Sequence, residues 1–171
     1  GIRAQIIKRS GELFIWSRGE ELITHQFPEI VTALVSWEND FVLDGELLVY
    51  FNDTVQNFSE LQKRLNRKTL PKKMLDELPV VLFAYDLLEL NQTDLRELPL
   101  KNRRKELENL IKPHKSSIIH ISEVVTPGDW NEAAEIREQS RNNLSEGLML
   151  KHLASVYHTG RKRGDWWKWK I

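Results

Sequence analysis

The chain has 171 residues, 40% apolar and 29% charged, with 25 Lys and Arg balanced by 25 Asp and Glu and no cysteine. This composition suits one globular domain that buries about two thirds of its unfolded surface, and it excludes disulfides, thiolate metal sites and cysteine nucleophiles. No apolar run approaches the ~20 residues of a membrane span and Gly1-Ile2-Arg3-Ala4 is no signal peptide, so the chain reads as cytoplasmic.

Ile2 to Ile7 and Glu12 to Trp16 read as two strands joined around Ser10-Gly11. Phe27, Ile30, Val31 and Leu34 fall at helical spacing. Phe41 to Phe51 is apolar and β-favouring, which predicts a largely buried strand. A short helix is expected from Phe58 to Leu65 and another before Pro79, after which Val80 to Leu88 reads as a second buried strand. Leu100 to Ile111 reads as a helix with Leu100, Arg104, Leu107 and Ile111 on one face and Pro113 as its stop. Ile118 to Ile121 follows as a short strand, then a helix capped by Asp129, then strands at Gly147 to Lys151 and Trp166 to Lys170. Strands dispersed among helices favour an α+β domain over a doubly wound parallel sheet. Both ends read as cuts within strands.

Three segments carry chemistry. In Phe41-Val42-Leu43-Asp44-Gly45-Glu46-Leu47, alternation puts Asp44 and Glu46 on one face of an apolar strand, where unpaired carboxylates are costly, and Gly45 allows close approach to the backbone. An exposed edge or a structural ion pair is the other reading. In Trp166-Trp167-Lys168-Trp169-Lys170, alternation groups Lys168 and Lys170 with Trp166, and Trp167 with Trp169 on a packed face. Two adjacent ammonium groups repel unless an anion such as a polyphosphate lies between them, or unless both are simply solvated. The preceding Gly160-Arg161-Lys162-Arg163-Gly164 adds a basic footprint for a phosphate backbone. In Ser145-Glu146-Gly147-Leu148-Met149-Leu150-Lys151, Glu146 is a candidate magnesium ligand. Strict alternation puts Lys151 on the opposite face from Glu146, so both reach one ligand only through a twist or bulge. No HExxH, GxSxG or GxxxxGK[ST] motif is present.

The order Asp-Gly-Glu, Tyr85-Asp86 in an apolar strand, Glu-Gly-Leu-Met-Leu-Lys and Trp-Trp-Lys-Trp-Lys resembles the ordered motifs of ATP-dependent DNA ligases, members of the covalent nucleotidyltransferase superfamily. The Phe58-to-Lys68 helix together with the Trp-Trp-Lys-Trp-Lys ending looks most like the bacterial enzymes. The resemblance implies the nucleotidyltransferase (ATP-grasp-like adenylation) fold, with antiparallel sheets flanked by helices, spanning residues 1–171 as a single domain incomplete at both ends. An oligonucleotide-binding domain is expected after residue 171.

The resemblance also implies roles. Gly1-Ile2-Arg3 matches the end of the family's Lys-x-Asp-Gly-x-Arg motif, so the nucleophilic lysine is expected just before residue 1, and Arg3 near the ribose and phosphate of AMP. Arg18 would contact phosphate, Glu46 the ribose hydroxyls, and Tyr85, where the family usually has Phe, would stack on adenine. Glu146 and Glu46 are the expected magnesium-associated carboxylates, Lys151 would help hold the nucleotide, and Lys168 and Lys170 would engage the triphosphate and assist lysine adenylylation. ATP and Mg2+ are the implied cofactors, nicked double-stranded DNA the implied partner, a monomer at the nucleoid the implied state. An RNA ligase, a capping-type guanylyltransferase and a nucleic-acid-binding module without catalysis are the alternatives.

Overall fold

The computed structural model describes residues 1–160 and 162–171; Arg161, within the expected basic loop, lies outside the described residues. Strands β1 (Ile2–Arg9) and β2 (Glu12–Ser17) form an antiparallel hairpin. Its two-residue turn holds Ser10 and Gly11 at φ of 50° and 79°, the backbone that right-twisted hairpins favour. Helix α1 (Pro28–Val35), started by its proline, leads into β3 (Phe41–Phe51), which pairs antiparallel with β1. Next come the two-residue strand β4 (Thr54–Val55), helices α2 (Phe58–Leu65) and α3 (Lys72–Glu77), and β5 (Val80–Leu90), antiparallel to β3. After β6 (Thr93–Asp94), helix α4 (Leu100–Ile111) precedes β7 (Ile119–Ile121), the one strand of this sheet that pairs parallel to its neighbour, here β5. The main sheet therefore runs β2-β1-β3-β5-β6, with β4 on β3 and β7 on β5. Helix α5 (Trp130–Gln139) is capped by Asp129, whose carboxylate accepts from Glu132 N at 2.8 Å. It precedes a separate antiparallel pair, β8 (Gly147–Lys151) and β9 (Trp166–Lys170). Among the described residues no helix is long and apolar enough to cross a membrane.

Ala4, Ile6, Leu43, Leu47, Val49, Leu82 and Ala84 line one face of the main sheet and share a core with Ile30 and Leu34 of α1, Leu61 of α2 and Leu107 of α4. By alternation Arg3, Gln5, Asp44 and Glu46 mark the opposite face. Where β3 meets β5, Asp44 pairs with Asp86 and Gly45 with Ala84, which leaves Tyr85 as an extra residue at a bulge. The close approach that Gly45 permits is made by β5: a Cβ there would stand 2.7 Å from Phe83 O.

Two expectations about faces need correction. On α4 the buried cation is Arg103, not Arg104, because Arg103 finds the buried carboxylate of Asp86. The helix itself ends at Ile111 as expected, with Pro113 in the 3-10 turn Lys112–His114 that follows and Lys115 at φ 46°. On β9 only half of the expected packed face is covered. Trp169 meets Trp130 and the Arg137 guanidinium from α5, whereas Trp167 is exposed.

Candidate functional site: the junction of the two sheets

Arg3, Asp44, Tyr85 and Tyr157 form the inner part of the site. Asp44 is fully buried in β3 and receives both ends of the Arg3 fork, Nη2 to Oδ2 at 2.6 Å and Nε to Oδ1 at 3.2 Å. The Tyr157 hydroxyl donates to Oδ2 at 2.8 Å and accepts from Arg3 Nη2 at 3.1 Å, and the Tyr85 hydroxyl donates to Oδ1 at 3.3 Å. The hydrogen bond to Asp44 raises the pKa of Arg3 above its ordinary value. Burial, reinforced by the Asp44 charge, raises that of Tyr85 and pushes Tyr157 up to about 12, so both phenols stay protonated donors.

Lys151, at the end of β8, lies over this group with Nζ 4.5 Å from the Tyr85 ring centre and 4.3 Å from that of Trp166. Burial pulls its pKa down to about 8, and the Asp86 and Asp44 charges oppose the shift. The segment between β8 and β9 locks this arrangement in place. Ser155 O accepts from Arg103 Nη1 at 2.9 Å and from Leu100 N at 2.8 Å, Leu153 O accepts from Lys101 N at 2.9 Å, and Trp166 Nε1 donates to Ser155 Oγ at 3.3 Å. The segment thus supplies the acceptors that the first amides of α4 need, Pro99 at its N-cap having no side chain to offer. Beneath, Arg103 and Asp86 make a fully buried bidentate pair at 2.8 and 3.0 Å.

The outer part carries Glu46, Glu146, Lys168 and Lys170. Glu46 sits in register between Arg3 on β1 and Phe83 on β5. Lys168 and Lys170 lie opposite Met149 and Gly147 on the face that Lys151 and Trp166 share, as alternation predicts. Gly147 resolves the expected conflict between Glu146 and Lys151. Its φ of 135° breaks the alternation at the strand entrance, and Lys170 Nζ meets Glu146 Oε2 at 3.0 Å. That contact holds the Glu146 carboxyl below its usual range. The exposed Lys170–Glu146 pair is one that an incoming phosphate can compete for, because surface ion pairs contribute little. Glu46 lies against Gly1, where a Cβ would stand 2.7 Å from Glu46 Oε1. Among the described residues no three carboxylate or histidine side chains converge, so a magnesium ion there would need phosphate oxygens as further ligands.

Arg18 stands apart in the exposed turn after β2, one residue beyond the Ser17–Ala4 pair and so level with Arg3. An open groove of about 660 Å3, lined in part by Glu29, Asp53, Asp76 and His120, shares no residue with the site and has no cationic lining. Tyr157, Arg103, Asp86 and Trp166 belong to the site although sequence reasoning gave them no role in it. A carboxylate at position 86 in an apolar strand demanded a partner. No local pattern marks Tyr157, whose partners lie 113 and 154 residues away.

An α+β domain that sets a bulged, charged sheet face against a lysine-bearing strand pair is of the nucleotidyltransferase type. The family model described as "ATP dependent DNA ligase domain" matches residues 1–170, and the chain belongs to that family. It is 32% identical over 191 residues to a probable DNA ligase of Koribacter versatilis, covering 99% of this chain and 33% of that protein. It is likewise 32% identical over 168 residues to a DNA ligase of Nanoarchaeum equitans, covering 96% and 30%. Among solved structures, the ligase domain of M. tuberculosis LigD superposes with a TM-score of 0.73 at 30% identity, over 97% of this chain and 50% of that one. A mycobacterial DNA ligase D complexed with ATP and MES gives 0.71 at 28%, with the same shares. The chain spans about a third of the length of these curated relatives, which come from both bacteria and archaea.

Proposed function

We propose that this chain is the nucleotide-charging part of an ATP-dependent DNA ligase that seals nicks between a 5′-phosphate and a 3′-hydroxyl in double-stranded DNA. The observation that supports this reading is that Lys151, at the end of β8, lies over the Tyr85 ring beside the Arg3–Asp44 pair of the main sheet, while Lys170 of the neighbouring strand meets Glu146. In this reading a lysine N-terminal to Gly1 attacks the α-phosphate of ATP, forming a phosphoramidate and releasing pyrophosphate. AMP then passes to the DNA 5′-phosphate, and the 3′-hydroxyl displaces it.

Such transfers depend on positioning and on charge neutralisation. Tyr85 offers a ring face to adenine, Glu46 an acceptor to the ribose hydroxyls, Arg3 and Arg18 donors to phosphate, and Lys151 a further contact to the nucleotide. Lys168 and Lys170 neutralise the triphosphate, Lys170 exchanging Glu146 for phosphate. Glu46 and Glu146 would hold Mg2+, which when bound supplies charge neutralisation at the phosphates. Repair and replication of a genome in the cytoplasm, and action as a monomer, complete the reading.

The test is to incubate the full-length protein with Mg2+ and either ATP or GTP labelled at the α-phosphate. Acid-labile label on the protein from ATP alone supports the reading, and alanine at Glu46, Glu146, Lys168 or Lys170 should cut charging by about a hundredfold or more. Label from GTP would move the protein to the capping class, and no label from either would leave a binding module.

A further inference from the structure

The family motif that Tyr85 matches usually has phenylalanine there, and the hydroxyl this chain adds has a partner. Each oxygen of Asp44 receives one N–H from Arg3 and one O–H from a tyrosine: Nε and the Tyr85 hydroxyl at Oδ1, Nη2 and the Tyr157 hydroxyl at Oδ2. A carboxylate rotates about its Cβ–Cγ bond unless both oxygens are held, and a guanidinium bound through Nε and Nη2 turns with it. Asp44 is completely buried, while the Arg3 side chain is 39% exposed and its Nη1 has no hydrogen-bond partner among the described residues, so the fork is fixed at one end and open at the other. The two phenols come from different parts of the fold. Tyr85 sits at the β5 bulge; Tyr157 sits in the segment that joins β8 to β9, where its N–H donates to Arg96 O at 2.8 Å.

We infer that Tyr85 and Tyr157 are positioning residues for Arg3: acting through Asp44, their hydroxyls hold the guanidinium with its remaining donors directed at the nucleotide phosphate and ribose. The inference rests on the nucleotide-charging reading for the target of Arg3, but not for the geometry. Tyr157 has the larger share, since its oxygen touches both Asp44 and Arg3 and its bond to Asp44 is the shorter. It also makes Arg3 sensitive to the β8–β9 segment, and so to whatever Lys168 and Lys170 bind.

Two measurements on the full-length protein test this. In the first, single-turnover charging at saturating ATP is followed in wild type, Tyr157→Phe, Arg3→Ala and the double variant. Tyr157→Phe should lower the rate about tenfold, as loss of one hydrogen bond to a charged group implies, and should add nothing once Arg3 is alanine. The same tenfold loss in the Arg3→Ala background would show a merely structural tyrosine and overturn the inference. In the second, proton exchange at Arg3 Nε–H is read by nitrogen-resolved NMR, which needs no activity. It should be at least tenfold slower than at the exposed Arg18, and should rise to the Arg18 rate in Tyr85→Phe/Tyr157→Phe. Equal exchange in wild type and double variant would overturn the positioning role whether or not ATP charges the protein. Absence of charging in wild type, with Arg3 still protected, would count against the nucleotide reading alone.

Discussion

Arg103 is the most consequential buried side chain that makes no direct contact with the proposed nucleotide groups. It donates to both oxygens of Asp86 and, through Nη1, to Leu98 O at 2.7 Å and Ser155 O at 2.9 Å, with neither member of the ion pair exposed. Arg103→Met keeps much of the volume and removes all four bonds. Asp86 is then left with the Leu87 amide at 2.9 Å as its remaining donor. Removing one partner of a buried pair costs about 3–5 kcal/mol, a large part of the ~5–15 kcal/mol that holds a domain folded. Native-state hydrogen exchange in the full-length protein can read this locally. Amides of α4 and of residues 152–157 should lose roughly 100- to 3,000-fold in protection, since every ~1.4 kcal/mol is a factor of ten. Arg104→Met is the control. Arg104 is partly exposed and bonded to Glu108 at 3.2 Å and Ser122 O at 2.7 Å, so it should cost only about 1 kcal/mol. Replacing both Asp86 and Arg103 by apolar residues should recover most of the loss. Protection within threefold of wild type in Arg103→Met would refute the view that this pair anchors the segment bearing Tyr157.

Gly147→Ala should disrupt the β8–β9 pair, because a Cβ there stands 2.2 Å from Trp169 O at a φ of 135°. Near-UV circular dichroism of the tryptophans should change and charging should fall. Gly11→Ala, at φ 79° with open space around it, should cost only its backbone strain of about 1 kcal/mol or more. An unchanged spectrum in Gly147→Ala would count against the strand pairing. Lys151→Met tests the depressed lysine. Its folded pKa of about 8 lies below the ordinary 10.5, so the folded state carries the full cost of burying the ammonium below pH 8 and sheds it as pH rises toward 10.5. The variant should therefore melt above wild type at pH 7, with the difference shrinking to nothing near pH 10.5; a difference that grows with pH would refute the burial argument.

Element boundaries followed the apolar pattern closely. Phe41–Phe51, Phe58–Leu65, Leu100–Ile111, Gly147–Lys151 and Trp166–Lys170 lie where alternation, helical spacing and turn residues put them. Strands β4 and β6 went unread, although Asn52-Asp53 and Asn91-Gln92, all at positive φ, are hairpin turns of the kind asparagine favours. Beyond the β1–β2 hairpin, which Ser10-Gly11 marked, the pairing was not legible. Nothing local says that β7 joins β5 in parallel, or that the bulge falls at Tyr85, because both are settled by which faces the core must cover. Arg103 and Arg104 are adjacent cations on one helix, and only the position of Asp86, 17 residues earlier, decides which turns inward. Motif order placed Glu46, Tyr85, Lys151, Lys168 and Lys170 in one family pattern, but could not see Tyr157, the loop residue that joins Arg3 and Asp44.

Burial divides the charges of this electrically neutral chain into two kinds. Asp44 and Asp86 lie side by side in adjacent strands, an arrangement that like charges would not tolerate without cations. Arg3 answers the first and Arg103 the second. These inner carboxylates thus build the floor and are not available to a metal or a phosphate. The outer groups, Glu46, Glu146, Lys168 and Lys170, are at least partly exposed, and the one pair they form is weak enough to exchange. Arg3 bridges the two kinds, held from below by Asp44 and half open above. A ligand that draws on Lys168 or Lys170 pulls on β9, and β9 carries Trp166, whose indole is bonded to Ser155 two residues from Tyr157. That chain of contacts joins the lysine-bearing strand to the Asp44 carboxylate that sets Arg3.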